Sequence, residues 1–392
     1  MSELLARNGG LRSHFSSFGV AWFSFASFAS FALKAFELIG GELRKRIVVV
    51  GAGAIGGYAG GHMTRAGHDV TLVDAWPEHV DYMREHGIQL SGMTPVETHS
   101  IPVNALHVTD VQRFAKERPI DIAFICVKSY DTDWATQLVK PYLAPDGFVV
   151  SLQNCINEER IAAIVGWGRT LGCIASLVAA ELTHAGHISR TVPLGGDHHI
   201  VYRVGEIHGR VTPRAEEVAE LLRSADSAKV TTNLWGERWS KLVINSMRNG
   251  LSAASGLSGN QRDLADEPRW LSIRLGSEAV RVGQALGYAL ERMLGMEPET
   301  LARAGEGSRD ALAEISEVLV SNARNRSDEQ RPSMAQDMRK GRRTETDFIN
   351  GYIAERGEEI GVPAPTHAKM NEVVKRVERG ELAASADAIR GI

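Results

Sequence analysis

The sequence predicts an α/β, doubly wound N-terminal domain followed by an all-α C-terminal domain, and three observations carry that prediction. A β-branched run, Ile47-Val-Val-Val50, leads directly into a glycine-rich turn. Strand-like and helix-like segments then alternate along the chain. From about residue 229 the strand signal disappears, leaving helices rich in Ala, Leu, Glu and Arg. Alternation of this kind builds a mostly parallel sheet with helices on both faces, the Rossmann-type arrangement.

Each element follows from local pattern. Ile47 to Val50 is continuous and apolar, as a strand buried on both faces requires. Gly57 to Gly67 reads as a helix, and Asp69-Val-Thr-Leu-Val-Asp74 as the second strand, completing a β-turn-α-β unit. Further strands are expected at Ile120 to Val127 and Phe148 to Leu152, joined by an amphipathic crossover helix from Trp134 to Lys140. A short run from Ile200 to Val204 and a helix from Pro213 to Leu222 close the first domain. A later helix around Tyr352 ends at Gly361-Val-Pro-Ala-Pro365, where glycine supplies the cap and the prolines cannot continue.

Composition narrows the function. The 392 residues are 43% hydrophobic and 23% charged, an ordinary globular composition. With 44 Lys plus Arg against 48 Asp plus Glu, the formal charge is -4, so no basic stripe for nucleic acid is expected. Cys126, Cys155 and Cys173 show no CxxC spacing, which argues against a disulfide framework or zinc site and for a reducing, cytoplasmic setting. His184, His187, His198 and His199 lack a helical metal-binding pair, and no metal is expected. Residues 1–44 stand apart: seven of the eleven Phe lie between Phe15 and Phe36, in a run interrupted by serines. The expectation there is an appendage, disordered or started upstream of the true codon, with a membrane or targeting segment as the alternative.

The turn Gly51-Ala52-Gly53-Ala54-Ile55-Gly56 fits G-x-G-x-x-G between a strand and a helix. The first glycine permits the tight turn, the second admits a pyrophosphate to the backbone, and the third allows close packing. Residues 45–228 are therefore expected to bind a dinucleotide and residues 229–392 to form the helical substrate and catalytic domain. Asp74, ending the second strand, can hold a ribose 2′-hydroxyl and would repel a 2′-phosphate, which favours NAD(H) over NADP(H). Arg84, ten residues on, is the candidate that would reverse that preference. Lys128 and Asn154 follow later strands, at the edge where such sheets bind ligands.

The helical half carries Lys241, Asn245 and Asn249, each four apart and so on one stripe of a helix otherwise made of Leu242, Val243, Ile244 and Met247. Polar groups on a buried helix need partners, and a cavity holding a polar ligand supplies them. Glu345 is expected on the apolar side of a helix with Phe348, Ile349 and Tyr352. Ser333 with Gln336 fits a capping box.

Together these residues resemble the ketopantoate reductase, or 2-dehydropantoate 2-reductase, family. The resemblance rests on Gly51 to Gly56, Val127-Lys128, Leu152-Gln-Asn154, the Lys241, Asn245, Asn249 spacing, Ser333-Met-Ala-Gln-Asp-Met-Arg, and Arg343-Thr-Glu-Thr-Asp-Phe-Ile-Asn-Gly351. It implies an NAD(P)H-dependent reduction of a 2-oxo acid, ketopantoate first, in pantothenate biosynthesis. It also implies a C-terminal domain like that of 6-phosphogluconate dehydrogenase. By the same resemblance Lys241 and Glu345 are catalytic, Asn245, Asn249 and Ser333 bind substrate, and Lys128 and Asn154 contact the cofactor. The family's habit is NADP(H), against which Asp74 stands. Cys155 replaces an expected glycine, and the charged tract from Glu297 to Arg331 lengthens the spacing between Lys241 and Ser333. The helices after residue 260 are candidates for a homodimer face. β-Hydroxyacid dehydrogenases share a K-x-x-x-N helix but not the Ser333 and Thr344-Glu345 motifs. A dinucleotide-binding redox sensor without turnover is the alternative from another class.

Overall fold

The computed structural model describes residues 44–325 and 331–392, so the phenylalanine-rich stretch lies outside the described residues. β1 (Arg46–Val50), α1 (Ala54–Arg65), β2 (Asp69–Asp74), α2 (Pro77–His86), β3 (Ile88–Ser91), β4 (His99–Ile101) and β5 (Asn104–His107) come first. Next are β6 (Ile120–Ile125), α3 (Thr132–Val139), β7 (Leu143–Ser151), α4 (Glu158–Val165) and β8 (Thr170–Ala175). β9 (Ala180–His184), β10 (His187–Arg190), β11 (Tyr202–Glu206), α5 (Pro213–Arg223) and β12 (Ala228–Thr231) complete the α/β part.

The main sheet runs β12-β11-β8-β7-β6-β1-β2-β5. Its six strands from β8 to β5 are parallel, while β11 pairs antiparallel with β8. The chain moves outward from β1 in both directions, which opens a crevice at the carboxyl ends of β1 and β6. β1 is buried at every position, as its unbroken apolar run requires.

A second sheet, β4-β3-β10-β9, was not legible in the sequence. Its strands are only three to five residues long, and β3 pairs with β10 across about a hundred residues of chain. This sheet and the main one enclose α1, whose glycines let both approach. A Cβ at Gly60 would sit 2.5 Å from Leu72 of the main sheet, and one at Gly57 would sit 2.5 Å from Ile188 of the small sheet.

The expected division at residue 229 falls inside β12, because the strand's four residues alternate too briefly to register as a periodic signal. The helical part begins with α6 (Leu234–Ser255), followed by α7 (Gly259–Leu264), α8 (Asp266–Ala285), α9 (Pro298–Gly305) and α10 (Arg309–Arg324). α11 (Ser333–Arg339), α12 (Tyr352–Glu359) and α13 (Pro365–Glu378) follow. The charged tract after Glu297 folds mainly as α9 and α10, which bury Leu301, Ile315 and Leu319 in the helical core. Among the described residues no helix is long and apolar enough to cross a membrane.

Candidate active site

The glycine-rich turn has the geometry its sequence calls for. Gly51 has φ 94°, and a Cβ there would lie 2.8 Å from the Val127 amide nitrogen. A Cβ at Gly56 would lie 2.1 Å from the Gly51 carbonyl oxygen, so the third glycine lets α1 seat against β1. Gly53 differs: a Cβ built on it meets nothing within 4 Å. It faces open space at the start of α1, where Ala54 and Ile55 present backbone N–H groups without a helical partner. His79 steadies the turn from below. Its Nδ1 accepts from the Gly186 amide at 2.8 Å, so its Nε2 carries the proton and donates to the Ala52 carbonyl at 2.9 Å. These features fit a dinucleotide pyrophosphate.

Asp74 ends β2 with one carboxylate oxygen accepting the Trp76 amide at 3.0 Å, which fixes the side chain at the crevice edge. Arg84, the residue that could have served a 2′-phosphate, is committed elsewhere. Its guanidinium pairs with Asp110 at 2.7 Å and Asp81 at 3.3 Å and donates to the Ala105 carbonyl. Asp74→Arg is expected to shift the ratio of kcat/KM with NADPH over NADH upward by about tenfold or more, one attractive charge replacing one repulsive charge. Initial rates with the two dinucleotides check it, and an unchanged ratio would show that the 2′ position is read elsewhere.

At the next strand ends the two halves of the molecule meet. Lys128, after β6, extends its ammonium to Asp337 of α11 at 2.5 Å and to Glu345 at 3.4 Å. Burial works against that charge, but Glu345 and Asp337 outweigh it and hold the lysine above its ordinary range. Lys128, expected to contact the cofactor, thus also forms an ion pair with the helical half and keeps its side chain 34% exposed. Glu345 accepts from both the Ser129 amide and the Ser129 hydroxyl at 2.9 Å. It is buried as anticipated, for a different reason: it precedes the helix, and the turn from Asp347 to Gly351 is a π-turn rather than a regular face.

Asn154 lies on the loop after β7, its carbonyl accepting from Asn157 at 2.9 Å. Cys155 is held at φ 65°, the left-handed conformation that favours glycine, which accounts for the glycine expected there. Its thiol, buried and near Glu345, is pushed up from the ordinary cysteine range, which favours the neutral thiol over the nucleophilic thiolate.

Lys241 sits two turns into α6. Its ammonium donates to the Ala175 carbonyl at the end of β8. Burial and the neighbouring Arg238 guanidinium bring it down to about 8. Asn245 and Asn249 follow by one and two turns, and neither amide has a hydrogen-bond partner among the described residues. Ser333 is the first residue of α11, which packs against α6. The capping box is not formed: Pro332 is the cap residue, and Gln336 instead donates to the Arg331 carbonyl at 3.0 Å. The structure therefore gathers Lys128, Lys241, Glu345 and Cys155 into one electrostatic neighbourhood.

Three residues that contact this cluster escaped the sequence reading. Asp337 was within the quoted Ser333 motif, and its position between the apolar Met334 and Met338 marked it as a buried acid. Ser129, holding Glu345, carried no signal beyond following Lys128. Arg238, one turn before Lys241, is 2% exposed and reaches across to Glu158, the Gln153 carbonyl at 2.6 Å and the Ser151 carbonyl at 3.1 Å. Among the described residues no group of three or more His, Cys, Asp or Glu is placed to hold a metal ion.

The sequence and the fold recur in known proteins. The model described as ketopantoate reductase PanE/ApbA matches residues 47–200, and its C-terminal counterpart matches residues 233–378. The 2-dehydropantoate 2-reductase of Archaeoglobus fulgidus is 29% identical over 353 residues, covering 86% of this chain and 99% of that protein. That of Pyrococcus horikoshii is 30% identical over 339 residues, with 85% and 97% covered. A PanE/ApbA family ketopantoate reductase from Ralstonia eutropha superposes with a TM-score of 0.68 at 25% identity, covering 86% and 99% of the two chains. A D-mandelate dehydrogenase solved with NADH and anilino(oxo)acetate shares the fold, with a TM-score of 0.70 at 21% identity over 86% and 98%. Matched along both halves, the chain belongs to the ketopantoate reductase PanE/ApbA family and is an oxidoreductase acting on CH–OH groups.

Proposed function

We propose that this protein reduces ketopantoate to pantoate with NADH as the preferred reductant, Lys241 delivering the proton. The observation that carries the reading is a lysine brought down to about 8 on a buried helix face, followed by two asparagine amides with no hydrogen-bond partner among the described residues. The glycine-rich turn, the amino end of α1, Asp74 and Asn154 would hold the dinucleotide, which when bound supplies the hydride for the keto carbon.

Each remaining role follows from position. Negative charge gathers on the keto oxygen as the carbonyl is reduced, and an ammonium lying against it stabilises that charge and then gives up a proton. A lysine near 8 gives the proton more readily than one at its ordinary value, since its conjugate base is weaker. Asn245, Asn249 and Ser333 offer amide and hydroxyl donors for the carboxylate. Glu345, pinned by Ser129, accepts the substrate's hydroxyl. The loop at Cys155 and Ile156 packs into the helical core and keeps water from the floor of the crevice.

The pH profile tests the assignment. The acid form of Lys241 is the active one and predominates below its value of about 8. The kcat/KM for reduction is expected to be level below that point and to fall about tenfold per pH unit above it. A profile level to pH 10 would remove Lys241 as the donor.

A further inference from the structure

Glu345 has two carboxylate oxygens in unequal situations. Oε1 is saturated, accepting the Ser129 amide and the Ser129 hydroxyl at 2.9 Å each. Ser129 is itself fixed, because Asn157 donates to its hydroxyl at 3.1 Å and Arg160 donates to its carbonyl at 2.5 Å. The carboxylate therefore cannot swing to make up for a change around it. Oε2 has one contact among the described residues, the Lys128 ammonium at 3.4 Å, at the outer limit of a hydrogen bond. The same ammonium lies 2.5 Å from Oδ2 of Asp337.

We propose that Asp337 is a positioning residue: it draws Lys128 to its own side and so keeps Oε2 of Glu345 open to a hydroxyl of the substrate. The idea rests on the reading of Glu345 as the hydroxyl acceptor. Lys128 is the adjustable member of the group. Its side chain is 34% exposed on a flexible four-carbon stem, whereas those of Asp337 and Glu345 are 8% and 6% exposed. Without the charge on Asp337, the carboxylate of Glu345 becomes the ammonium's remaining partner. Coulomb attraction then closes the gap. An oxygen capped by an ammonium keeps one lone pair, but the cation stands in the approach of the substrate's hydroxyl and weakens that oxygen as an acceptor.

The readout is discrimination, which a purely structural aspartate would leave alone. Ketopantoate carries a hydroxyl at C4, and 3,3-dimethyl-2-oxobutanoate lacks only that group. In the full-length protein, Asp337→Asn is expected to lower the ratio of kcat/KM for these two substrates by about tenfold, the scale of one hydrogen bond to a charged acceptor. NADH affinity should not change. Asp337→Glu should restore part of the ratio. In a Lys128→Met background, Asp337→Asn should have no further effect on the ratio, because the positioning acts through the ammonium. An equal loss on both substrates, or the same change in ratio without Lys128, would overturn the proposal. Glu345→Gln separates the two ideas. Discrimination lost in Glu345→Gln but kept in Asp337→Asn sinks the role of Asp337 alone, whereas discrimination kept in Glu345→Gln sinks both.

Discussion

Lys241→Ala is expected to lower kcat for reduction by about 100-fold to 10,000-fold, the range for losing a positioned proton donor, if Lys241 has the role proposed for it. Affinity for the dinucleotide should stay within about twofold, because the proposed dinucleotide site is on the far side of the crevice. The separation follows from placement. Lys241 stands on α6 and touches the end of β8, whereas the glycine-rich turn follows β1. The substitution removes a half-buried ammonium whose bond to the Ala175 carbonyl is the one hydrogen bond it makes among the described residues. Folding should therefore change little. Single-turnover kinetics beside dinucleotide titration check the expectation, and equal losses in both would show that Lys241 organises the crevice rather than the chemistry.

Arg238→Met is expected to destabilise the protein by about 3–5 kcal/mol, because it leaves a fully buried carboxylate without its counter-charge. Arg238 and Glu158 have side chains 1% and 0% exposed, and the guanidinium also donates to the carbonyls of Ser151, the last residue of β7, and Gln153, just after it. Removing it abandons all three acceptors at once. The midpoint of urea unfolding measures the loss, and adding Glu158→Gln should return part of it, since the stranded charge goes too. A second consequence concerns the chemistry. Arg238 is among the groups that bring Lys241 down to about 8, so its removal moves the basic limb of the pH profile upward. An unchanged midpoint would mean that the pair contributes nothing net to the fold.

Much of this architecture could be read from the residues, and the exceptions have physical causes. β1, β2 and the first turn were legible because a buried parallel strand has an unmistakable composition and the glycines have no other conformational excuse. The small sheet was hidden, since three- to five-residue strands paired across distant chain carry almost no periodicity. That Lys241, Asn245 and Asn249 share one helix was legible from their spacing, while the roles expected of them came from the family resemblance. Glu345 was found for a reason the structure corrects: its burial comes from Ser129 and Lys128, not from a helical face. Asp337, Ser129 and Arg238 have partners 80 to 216 positions away. Such partners are a property of topology, which no local pattern reports.

The central claim is that the crevice reduces a 2-oxo acid rather than merely holding a dinucleotide. Its most direct test is the loss of absorbance at the reduced-nicotinamide band when the full-length protein meets ketopantoate, with NADH and NADPH in parallel and the product identified. The account predicts oxidation of the dinucleotide mole for mole with pantoate formed, faster with NADH because Asp74 stands at the end of β2. Tight dinucleotide binding with no oxidation by ketopantoate or any other 2-oxo acid would contradict it.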